Sequence, residues 1–147
     1  MTSAFLSKLI VENDNGATMT LAQPLVYWSA LFNAEMIVPA GFVTDFASIP
    51  RLLHTIIPKH GKYDAPAVLH DAAYQTGHIG DRSITQLDAD RLMLEAMQVK
   101  GVRWTQRRAI YLGCRMGGWL VWRRYRRTPV PPVPTTGTPQ PAPELAS

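Results

Sequence analysis

Between Asp64 and Gln75 the chain reads Ala65-Pro66-Ala67-Val68-Leu69-His70-Asp71-Ala72-Ala73-Tyr74, with almost nothing to keep it in water. Asp64 can cap a helix carrying Pro66 in its first turn, and Gly77 stands where that helix would end. At about 100° per residue, Val68, Leu69, Ala72 and Ala73 make an apolar side, and the remaining arc holds Ala67, His70, Asp71 and Tyr74. Neither side can face solvent, so the rest of the chain has to fold around this helix. His70 and Asp71 then lie in the core or in a pocket wall, where each needs a partner. His70 and Tyr74 are four apart and share a face.

The residues before it predict strands. Lys8–Val11 and Ala17–Leu21 flank Asp14-Asn15-Gly16, a strong hairpin signal. Leu25–Trp28, Glu35–Val38 and Phe42–Thr44 read as further strands, the last after a turn at Pro39-Ala40-Gly41. Ser48-Ile49-Pro50 can start a short helix through Ile57, before Pro58. After the central helix, Thr85-Gln86-Leu87-Asp88 opens a second one as a capping-box-like start, and Gly101 closes it. A third runs from about Arg103 to Arg127. The expectation is an α+β domain over residues 1–127, strand-rich at 5–47 and helical at 48–127, whose antiparallel sheet precedes a three-helix unit. Residues 128–147 hold seven prolines and read as a flexible tail with polyproline II stretches.

Composition narrows the chemistry. Of the 147 residues 46% are hydrophobic, enough for one buried core. The single Cys114 excludes an internal disulfide framework and a multi-cysteine zinc site. No apolar run approaches the roughly 20 residues of a membrane span. Met1–Phe5 lacks the basic region and apolar stretch of a signal peptide. Charge is split: residues 1–95 carry six basic and ten acidic side chains, net −4, and residues 96–147 carry nine and one, net +8. A basic patch of this kind suits an anionic partner or simply a solvated helix face.

One carboxylate is out of place. On the second helix Asp88, Arg91, Glu95 and Gln98 make a solvated side, whereas Asp90 projects among Leu87, Met93, Leu94 and Met97. There it requires a partner or a cation. An antiparallel helix pair would bring Asp90 against His70 or Asp71. A carboxylate that orients a histidine fixes its tautomer for base catalysis, and a neighbouring carboxylate can hold a hard divalent cation. The same residues also suit a buried His–Asp–Tyr network that locks two helices together.

Two resemblances rest on these residues. Val38-Pro39-Ala40-Gly41-Phe42-Val43-Thr44-Asp45-Phe46-Ala47-Ser48-Ile49-Pro50-Arg51, Leu69–Tyr74 and Ala89-Asp90-Arg91 resemble the motifs of a small family of unknown function from tailed bacteriophages and prophages. That resemblance implies phage origin, synthesis in the host cytoplasm and a possible place in the virion. His70-Asp71-Ala72-Ala73-Tyr74, with Asp90 nineteen residues after Asp71, is similar to the catalytic helix pair of secretory and parvoviral phospholipases A. It implies His70 as the base activating water, Asp71 as a calcium ligand, Asp90 as the group orienting His70, and Tyr74 as its support. The Gly-rich calcium loop of those enzymes has no counterpart, since no Gly-x-Gly occurs.

Asp45 can supply a further oxygen ligand to a metal, or cap the following helix or pair with Arg51. His54 packs in the expected 48–57 helix, and His60 and His78 fall in loops. In the last helix Ile110, Tyr111, Cys114, Gly117, Gly118, Val121, Trp122 and Tyr125 span an apolar arc, with Trp119 and Leu120 outside it. Such a helix can lie on anionic lipid, or pack on the helix pair and expose its arginines. Other phage proteins are alternative partners. Nucleic acid is disfavoured by the lack of any recognition motif.

Overall fold

In the computed structural model, residues 2–14, 18–45, 53, 55, 61–128 and 130–131 are described. Among them the strands are β1 (Ala4–Phe5), β2 (Val11–Asp14), β3 (Met19–Leu21), β4 (Leu25–Ser29), β5 (Ala34–Val38) and β6 (Val43–Thr44). Helix α1 (Asp64–Thr76) follows, then the small strands β7 (His78–Ile79) and β8 (Arg82–Ser83). Helices α2 (Gln86–Val99), α3 (Trp104–Gly117) and α4 (Trp119–Arg127) complete the chain's α+β fold.

Period-two patterning sets the sheets. Leu25, Tyr27 and Ser29 point inward from β4 while Val26 and Trp28 are only half-buried. β4 pairs antiparallel with β5, Leu25 opposite Val38 and Tyr27 opposite Met36, and with β1 on its other edge. β3 lies between β2 and β6, also antiparallel. The expected hairpin therefore forms, although its first strand is Val11–Asp14 rather than Lys8–Val11; its Asn15-Gly16 turn lies outside the described residues. The link from β4 to β5 passes Asn33 at φ 48, a left-handed position that asparagine tolerates.

The central helix buries ten consecutive residues, Ala65 to Tyr74. Asp64 is its first residue rather than its cap, and its carboxylate accepts the Gly61 N–H at 3.3 Å. Helix α2 starts on the reciprocal Thr85–Asp88 capping box, and Gly101 follows its end at φ 76. One core joins α1 and the inner face of α2 to Leu21, Leu25, Tyr27 and Val38 of the sheets. A second gathers Ala67, Met93, Met97, Ile110 and Cys114 between α1, α2 and α3. Glu95, on the side of α2 expected to face water, instead accepts Tyr27 Oη at 2.7 Å and the Leu31 N–H at 2.9 Å.

The expected three-helix unit is corrected to four described helices. The last helix breaks at Gly118, where a β-carbon would meet the Tyr74 hydroxyl and, at 3.3 Å, Gln86 Nε2. His78 is in β7, not a loop, and its Nδ1–H donates to Thr76 O at 2.8 Å. The start of the expected tail is held, since the Val130 N–H donates to Gln75 O at 3.1 Å. The 48–57 helix, apart from Leu53 and Thr55, and residues 132–147 lie outside the described residues, as do His54 and His60.

Candidate functional site: a buried histidine–aspartate centre

Three helices bring one polar cluster into the core. From α1, His70 Nε2–H donates to Asp90 Oδ1 of α2 at 2.6 Å, and Tyr74 Oη donates to the same oxygen at 2.8 Å. From α3, Arg115 Nη1 donates to Asp90 Oδ2 at 2.9 Å. Gln86 Nε2 closes the chain by donating to Tyr74 Oη at 3.2 Å. His70 and Asp90 are 0% and 1% exposed, so the pair is dry, while the Arg115 side chain keeps a third of its surface in water. The Asp90 carboxylate on Nε2 thus fixes the orientation of the imidazole ring.

The surroundings keep the donors protonated. Burial, then the charge of Asp90 and its hydrogen bond, hold the Tyr74 hydroxyl far above the ordinary phenol range. Burial and Asp90 push the Cys114 thiol up likewise. His70, Asp90 and Cys114 each bring one potential metal ligand within 4.8 Å of the others. That set is a poor metal site, because Asp90 already accepts from three donors, one of them the Arg115 cation.

Asp71 faces the other way. Its Oδ2 accepts from Thr44 Oγ1 of β6 at 2.6 Å and from Gln75 Nε2 at 3.2 Å, whereas Oδ1 is buried with no hydrogen-bond partner among the described residues. Burial is the main cause that raises its carboxyl above the usual range; the Thr44 hydrogen bond opposes it, and the negative charge of Asp45 adds to it. Both charges also act on the half-buried Tyr125 hydroxyl of α4, raised mainly by burial. A buried carboxylate oxygen without a donor among the described residues has the oxygen chemistry that a hard cation such as calcium uses.

Helix α4 covers the end of α1. The Trp122 ring meets Tyr74 edge-on, with centroids 5.2 Å apart. Arg126 lies over Trp122 and donates to the carbonyls of Tyr74 and Gln75, which helix geometry leaves unpaired. Nearby, a cleft of about 50 Å3 runs between Met36, Phe42, Ala72 and Val130; none of His70, Asp71 and Asp90 lines it.

The structure thus joins His70, Asp90 and Tyr74, and sets Asp71 with Asp45 on the sheet side of α1. Sequence reasoning missed Arg115, Thr44, Gln75 and Gln86. The lone apolar-face Asp90 signalled that a partner or a cation had to reach it, without saying which, and Thr44 adjoins the flagged Asp45.

A search of curated proteins and a search of solved structures both find no match. One family, described as Protein of unknown function (DUF1353), matches residues 19–114, a span running from β3 through Thr44, Asp45, His70, Asp71, Tyr74 and Asp90 to Cys114. The chain belongs to that family.

Proposed function

We propose that this protein is a metal-assisted hydrolase acting on esters, lipid esters among them, with the phospholipase-like arrangement of His70, Asp71 and Asp90. The observation that carries the reading is the 2.6 Å bond from His70 Nε2 to a carboxylate itself held by Tyr74 and Arg115. Holding one carboxylate with three donors costs stability that apolar packing would supply, a cost that functional sites commonly carry. In this reading His70 takes a proton from water as the water oxygen attacks the ester carbonyl, then returns that proton to the departing alkoxide. Asp90 stabilises the imidazolium in between, and Tyr74 and Arg115 keep Asp90 in place. Asp71 and Asp45, with Thr44 behind Asp71, would hold the divalent cation, calcium foremost; when bound it polarises the carbonyl oxygen. In this reading the enzyme is phage-encoded and made in the host cytoplasm.

A second reading has its own support: complete burial of His70, Asp71 and Asp90 favours a structural network in a non-catalytic virion or assembly protein. Hydrolysis of mixed phospholipid and short-chain ester substrates, with calcium and with chelator, separates the two. The enzyme reading expects calcium-dependent turnover that His70→Ala lowers by about 100- to 10,000-fold. It also expects calcium to raise the Tm of the wild type but not of Asp71→Asn. Background turnover in wild type and His70→Ala alike, with no calcium effect on Tm, would leave the structural network.

A further inference from the structure

The apolar arc of the last two helices is already covered. Ile110 and Cys114 are buried, and Val121, Trp122 and Tyr125 pack against the core. At about 100° per residue these three residues of α4 occupy one side of the helix, and Trp119, Leu120, Arg123, Arg124 and Arg127 occupy the other. That outer side is bare: Leu120 is 62% exposed, Trp119 44%, and Met116 at the end of α3 79%. The three arginines are exposed as well, and the Arg123 guanidinium lies 5.5 Å from the centre of the Trp119 ring. No acidic residue stands between Glu95 and Glu144 to offset them.

We infer that this outer face of α4, extended by Met116, is a docking surface for an anionic phospholipid bilayer. Guanidinium groups match lipid phosphates, and an indole with adjoining aliphatic side chains enters the boundary beneath the headgroups. Those two requirements meet on one arc here. A nucleic-acid backbone would use the arginines but gives Leu120 and Met116 nothing to contact. The inference does not rest on hydrolysis, and the face involved is opposite to the one that packs on Tyr74.

The test is sedimentation of the full chain with vesicles of phosphatidylglycerol and phosphatidylcholine, or of phosphatidylcholine alone, at low and high salt. Binding is expected only to the anionic vesicles, weakened by salt. R123Q/R124Q/R127Q should weaken it by roughly a hundredfold, since each basic side chain at such a surface is worth about five- to sixfold. W119S/L120S should weaken it at unchanged charge. Melting curves matching the wild type establish that both variants fold, as expected for exposed positions. Equal affinity for neutral and anionic vesicles, or no loss in either variant, would overturn the inference. So would tight binding of duplex DNA that W119S/L120S leaves intact while vesicles fail to compete.

Discussion

At Asp71 two needs conflict: the carboxylate is shielded from water, yet one of its oxygens receives no donor from the described residues. Burial raises its native-state pKa above that of the unfolded chain, so the native state holds the proton more tightly. Stability should therefore be fully present below the ordinary carboxyl range and fall as pH rises from there through the raised native value. Asp71→Asn removes that dependence. In chelator, denaturant titrations should find the variant more stable than wild type at neutral pH and the advantage gone in acid. An advantage independent of pH would contradict the assignment. This residue and Asp90 were legible in the sequence because each sits among apolar neighbours at helical spacing. Arg115 was not legible: it reads as one of many surface arginines, and only the approach of α3 to α2 turns it toward Asp90.

The elements were legible where a local signal is strong. The Thr85–Asp88 capping box, the Gly77 and Gly101 stops and the strand at Leu25–Trp28 all reappear as read. β7 and β8 have two residues each, too few for any periodicity to register. The break at Gly118 falls on the Gly117-Gly118 pair, and the Tyr74 hydroxyl occupies the space of a β-carbon there. Gly118→Ala should accordingly cost about 1–3 kcal/mol, the range for overpacking a filled site. Gly41→Ala, at φ 82 with open space around it, should bear only the backbone penalty of about 1–2 kcal/mol. Denaturation midpoints of the two variants check the ranking; G118A as mild as G41A would mean that Tyr74 yields.

Across the molecule, the split in charge read from the sequence corresponds to a physical division: an acidic half holding the sheets with α1 and α2, and a basic half made of α3 and α4. The contacts that bind the halves include Arg115 on Asp90 and Arg126 on the end of α1. The second has a consequence of its own. Gly77 is left-handed at φ 68, and a β-carbon there would fall on the Arg126 guanidinium. Any larger residue at 77 evicts that guanidinium, so Gly77→Ala and Arg126→Ala should be sub-additive in a double-mutant cycle, the pair costing less than the sum of the singles. Strict additivity would mean that the two never meet. Substitutions at one position would be tolerated according to what stands at the other, and two sites far apart along the chain would behave as a single heritable locus.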